Sequence, residues 1–125
     1  MDQPLIVVGY SASPEGRAAL QRAVSEARLR GAALVVLNTS PEVEPDGPAA
    51  ELAASGIAYE IQTTTDPQES AEELIRTAET TNADFIVIGL RRRSPVGKLL
   101  LGSNAQKVLL DAACPVLAVK APGAE

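Results

Sequence analysis

An open parallel α/β sheet covered by helices on both faces is the fold this sequence predicts, and three observations predict it. Short apolar runs rich in β-branched residues recur without polar alternation, as strands buried on both faces require. Between them lie segments with helical apolar spacing and recognisable start and stop residues. The 125 residues suit one compact domain, enough for a hydrophobic core and too few for two. Residues 1–125 are therefore read as a single domain.

Leu5, Ile6, Val7 and Val8 form the first strand. Ser13, Pro14 and Glu15 then supply an N-cap, a proline at the first helical position and an early acid, and Arg28 and Arg30 precede Gly31 at the far end. Leu20, Ala23, Val24 and Ala27 are the inward stripe of that helix. Residues 33–37 repeat the buried-strand signature, which makes a strand–helix–strand unit with a right-handed crossover. From Thr39 to Pro48 the chain carries Pro41, Pro45, Gly47, Glu42, Glu44 and Asp46, a composition that resists regular structure and is expected to be a solvated, mobile loop. Residues 49–55 fit a short helix ending at Gly56. Ile57, Tyr59 and Ile61 alternate with polar or small residues, as on an edge strand with one wetter face. Asp66 followed by Pro67 and, three residues on, Glu69 reads as a capped helix start; Ala71, Leu74, Ile75 and Ala78 face inward, and Asn82 stops the helix. Phe85, Ile86, Val87 and Ile88 make the fourth strand. A long loop from Gly89, a helix from about Ser103 to Ala112 and a last strand at 116–119 complete an order of β-α-β-α-β-α-β-α-β.

Composition excludes several functions. A net charge of −5 opposes nucleic-acid binding, which rests on a basic face that releases counterions. Aromatic residues make up 2% of the chain, too few for base-stacking platforms. With no histidine, the Ser-His-Asp and Cys-His triads and paired-histidine zinc sites are unavailable. Cys114 alone can form neither an intrachain disulfide nor a cysteine metal cluster, in keeping with a reducing compartment. No apolar run is long enough to span a bilayer, and the first four residues lack a secretion-signal pattern. A cytoplasmic protein with no membrane partner is the expectation.

In open α/β sheets a ligand sits beyond the carboxyl ends of the strands where the winding reverses, which selects the loops at 9–13 and 89–103. The second holds Gly89, Gly97 and Gly102 with Arg91, Arg92, Arg93 and Lys98 and runs into a helix N-terminus, a combination suited to phosphate. On residue types alone, a solvated basic turn is the commoner explanation. Known nucleotide fingerprints are absent: Leu99 follows Gly97 and Lys98 where a P-loop needs serine or threonine, and residues 9–16 do not spell the dinucleotide motif. Gly9, Tyr10 and Ser11 offer no acids for the magnesium of a response-regulator receiver. Ser11 and Ser13 have no candidate base in the sequence nearby, so Ser13 reads as a helix cap and catalysis has little support.

The stretch Asn82 to Gly89, the arginine-rich loop, the run Leu99, Leu100, Leu101, Gly102, Ser103, and the segment Cys114 to Val119 strongly resemble the universal stress protein family, nearly end to end. Nucleotide-binding members of that family carry Gly, two residues, Gly, nine residues, then Gly-Ser or Gly-Thr. Gly89 matches the first element and Gly102 with Ser103 the last, while Arg92 replaces the middle glycine. The resemblance implies strand order 3-2-1-4-5 and a nucleotide across the ends of the first and fourth strands. It implies that Gly89, Gly102, Ser103 and Asn104 hold ribose and phosphates and that the Thr39 backbone recognises adenine. Gly9, Ile88 and Arg91 flank these positions and join the expected site. Ser11 stands where the family usually shows an acidic residue. Arg92 has two physical outcomes: its bulk fills the phosphate pocket, or its guanidinium pairs with a phosphate. The expected ligand is ATP or AMP, with magnesium as an optional companion, bound by a protein that is not an enzyme. The alternative is a member that binds no nucleotide and serves as a dimeric interaction module. The resemblance also implies a homodimer through the last strand, at Val116, Leu117, Ala118 and Val119.

Overall fold

The computed structural model describes residues 3–91 and 102–121. Five strands, β1 (Leu5–Tyr10), β2 (Ala33–Asn38), β3 (Tyr59–Thr63), β4 (Phe85–Leu90) and β5 (Val116–Lys120), form one parallel sheet in the order β3-β2-β1-β4-β5. The helices are α1 (Pro14–Arg30), α2 (Ala49–Ser55), α3 (Ser70–Thr81) and α4 (Ser103–Asp111). This is the predicted architecture. The register pairs Val7 with Val35 and with Ile86, so the three central strands are in step and end together.

Two cores follow from the pleat, which sends alternate side chains to opposite faces. Ile6, Val8, Tyr10, Val36 and Val87 pack with α1 and Leu52 of α2 on one face. Val7, Val35, Leu37, Ile86 and Ile88 pack with α3 and Val108 of α4 on the other. Ile6, Val7 and Val8 are wholly buried, which is why their run shows no alternation.

The helix boundaries obey local chemistry. Ser13 Oγ accepts the Gly16 N–H and caps α1, with Pro14 in the first turn. Gly31 and Asn82 end α1 and α3 in the left-handed region, at φ 64 and φ 57. One boundary differs from the expectation. Asp66 does cap, accepting the Gln68 N–H, but Glu69 N–H bonds to Asp66 O, so 67–69 wind as a 3₁₀ turn and the α-helix starts at Ser70. The edge strand likewise starts at Tyr59, and Ile57 packs on the core from the turn before it.

Candidate functional site

The carboxyl ends of β1, β2 and β4 open into a crevice of about 580 Å³, open mouth included. Strand order places it where the winding reverses, between β1 and β4. Gly9 lines it from β1, Ser11 from just beyond β1, Thr39 from beyond β2, Ile88 and Gly89 from β4, and Asn104 from the first turn of α4. The structure therefore brings together six positions that the sequence singled out. Gly102 and Ser103 are exposed at the start of α4, outside that lining. Arg91 is turned onto Glu15, Nε to Oε2 3.2 Å. Arg92, Gly97 and Lys98 lie outside the described residues.

Two glycines let the floor close up. A Cβ on Gly89 would lie 2.6 Å from the carbonyl carbon of Glu15 and nearer still to its oxygen, so the first turn of α1 rests directly on the end of β4. A Cβ on Gly16 would meet Ser11 N at 2.5 Å, with Ser11 O and Oγ closer. Gly16 thus permits the tight turn by which the chain leaves β1 for α1. Gly102 is different: its φ of −67 suits any residue, and among the described residues nothing stands within 4 Å of where its Cβ would be.

The polar groups around the crevice are largely committed to each other. Ser11 Oγ and Ser13 Oγ share a hydrogen bond of 2.7 Å. Thr39 donates both its N–H and its hydroxyl to Tyr10 O, 2.9 Å each. Asn104 Nδ2 donates to Ser70 Oγ at 3.2 Å, which ties α4 to α3. Among the described residues, no three or more of His, Cys, Asp and Glu converge as metal ligands.

Beside the crevice, the 39–48 segment departs from the expectation of a free solvated loop. It forms only turns, but buried side chains hold it. Asn38, fully buried at the end of β2, donates to Glu44 O at 2.8 Å and accepts Ser40 N–H at 3.0 Å. Tyr10, also fully buried, donates its hydroxyl to the Glu44 carboxylate, which Arg17 pairs from the other side. Burial, then the bond to Glu44, pushes the Tyr10 phenol up to about 12. The bond from Tyr10 and the contact with Arg17 hold the Glu44 carboxyl below the ordinary glutamate range.

A carboxylate whose folded pKa is depressed contributes stability above its unfolded pKa and loses it as pH falls through the folded value. Amide protection across residues 40–47 is therefore expected to decline as pH drops through and below the normal glutamate range. Glu44→Gln should flatten that dependence. Hydrogen exchange followed against pH checks it, and a loop equally protected at pH 3 and pH 7 would refute the tether.

Sequence reasoning missed Tyr10, Glu15, Gly16 and Ser70 as crevice residues. Glu15 carried a helix-start signal that accounts for it locally; its second role depends on which strand end the helix lands upon.

The family model described as the Universal stress protein family matches residues 5–62 and 49–120. A universal stress protein of Mycolicibacterium smegmatis is 42% identical over 130 aligned positions, covering 95% of this chain and 99% of the relative. Among solved structures, a universal stress protein of Archaeoglobus fulgidus superposes with a TM-score of 0.76 at 29% identity, covering 96% of this chain and all of that one. Another from that organism, in complex with dAMP, gives 0.71 at 24% identity over 95% and 98% of the two chains. A universal stress protein in complex with cAMP gives 0.69 at 22% over 97% and 99%. At those last two identities the likeness is one of fold alone.

Proposed function

The chain belongs to the universal stress protein family, and from that premise we propose that it binds an adenine nucleotide, ATP or AMP, in the crevice between the β1 and β4 loops and acts in stress response or signalling. The observation that carries this reading is the crevice itself: it lies at the strand ends where the winding reverses, lined by Gly9, Ser11, Thr39, Ile88, Gly89 and Asn104. Fold relatives solved with dAMP and cAMP support the ligand class. Gly102 supports the placement of phosphates, because with Ser103 it matches the last element of the family's nucleotide-binding motif at the start of a helix. Ser103 and Asn104 follow in the first turn of α4, at the positive end of the helix dipole.

Binding without turnover is part of the proposal. Ser11 and Ser13 spend their hydroxyls on each other and on the cap of α1, which leaves them poor nucleophiles. A cytoplasmic homodimer paired through β5 completes it: Val116 to Val119 form a sheet edge whose side chains are only partly buried, open to a second copy. Among the described residues, no helix is long and apolar enough to cross a membrane.

The test is calorimetric titration of nucleotide-stripped protein with AMP and ATP, with sedimentation of the same preparation expected to give a dimer mass. The parent should bind, and Gly102→Asp, which sets a carboxylate where phosphates belong, should weaken binding at least tenfold, about 1.4 kcal/mol. Absence of binding by the parent at millimolar nucleotide would favour the second reading, a dimeric interaction module. The commitment of Ser11, at the family's usual acidic position, to the internal bond with Ser13 speaks for that reading.

A further inference from the structure

Among the described residues that line the crevice, Glu15 carries the only carboxylate. Its position is forced. Gly89 seats the Glu15 backbone on the end of β4, and the chain reaches Arg91 two residues later, so the carboxylate meets the guanidinium at 3.2 Å. The Glu15 side chain is 19% exposed and that of Arg91 56%, so the acid is the more enclosed of the two and the base the more open to solvent.

A carboxylate and a phosphate compete for the same guanidinium, because both are planar-edged anions that accept parallel N–H bonds. The competition grows with the charge of the ligand. A monophosphate or cyclic ester carries one or two negative charges and a triphosphate more, and each added charge gains more from a guanidinium that Glu15 has not already neutralised. We infer that Glu15 sets the charge class of the ligand: by holding Arg91 it opposes each added phosphate, so that the crevice favours adenine nucleotides of low charge over the triphosphate. This rests on the nucleotide-binding reading and adds to it a specificity residue.

The experiment measures the ratio of ATP to AMP affinity by calorimetry in the parent, Glu15→Gln, Arg91→Gln and the double variant. Glutamine keeps the size of Glu15 and an acceptor for Arg91 Nε while removing the charge. The ratio should rise about fivefold in Glu15→Gln, the scale of a partly exposed ion pair. The rise should vanish in the double variant, since it runs through Arg91, and shrink at 0.5 M salt. An unchanged or lower ratio in Glu15→Gln overturns the inference, as does a rise that survives the loss of Arg91, while leaving nucleotide binding intact. Failure of the parent and every variant to bind AMP or ATP overturns the binding reading and the inference together.

Discussion

Gly89→Ala should cost this domain about 3 kcal/mol of stability, the upper end of what overpacking one methyl group usually costs. The reason lies in the atoms it would meet. At Gly89 the new Cβ would face backbone, the carbonyl group of Glu15, rather than the end of a side chain that can swing away. Relief requires the first turn of α1 to lift from β4, and that turn carries the Ser13 cap and the Arg17 contact with Glu44. Gly102→Ala offers the contrast, with no described atom within 4 Å and an ordinary φ, and is expected to stay within about 0.5 kcal/mol of the parent. Urea denaturation of the three proteins compares them directly. If Gly89→Ala matches the parent, α1 does not rest on β4 as tightly as described, and the placement of Glu15 beside Arg91 goes with it.

These two glycines also mark what could be read in the sequence. Both were singled out as phosphate-loop residues, yet Gly89 has a second reason to be glycine that depends on a helix some seventy positions earlier in the chain. No local window carries that information. The strands were legible because burial on both faces erases polar alternation, and the helix ends because Ser13, Gly31, Gly56 and Asn82 act through neighbouring backbone groups alone. The start of α3 was misread for a related reason. Asp66 and Pro67 suit a 3₁₀ turn as well as an α-helical one, and the choice is made where Ser70 and Ala71 become buried.

The crevice was found by topology, since the rule about strand ends needs only element order. The tether of the 39–48 segment was not. Its prolines and acids describe a solvated chain, and locally that description holds, but Tyr10 lies 34 residues before its partner Glu44. A tyrosine at the end of a buried strand must find a partner for its hydroxyl, and that requirement was the one available signal.

Asn38 makes the strongest test of that tether. The side chain is fully buried, and its two ends are distinguished by what they face: Nδ2 a carbonyl, Oδ1 an N–H. Asn38→Asp keeps the shape and the bond to Ser40 but turns one oxygen towards Glu44 O, acceptor against acceptor. At neutral pH the loss should be about 3 kcal/mol, the cost of a broken bond with a buried polar group left unsatisfied. The variant has one escape, which is to take up a proton and donate it to Glu44 O. Burial and the nearby Glu44 carboxylate then raise the folded pKa of the new acid above its unfolded value near 3.9. A group raised in this way supports the fold below the unfolded pKa and loses that support as pH rises through the folded value. The deficit relative to the parent should accordingly be smallest near pH 4 and widen towards pH 8, opposite in sense to the acid weakening expected from Glu44. Urea denaturation of both proteins across that range reads it. A deficit that stays flat would mean that water reaches the amide and that the segment beside the crevice is held by Glu44 alone.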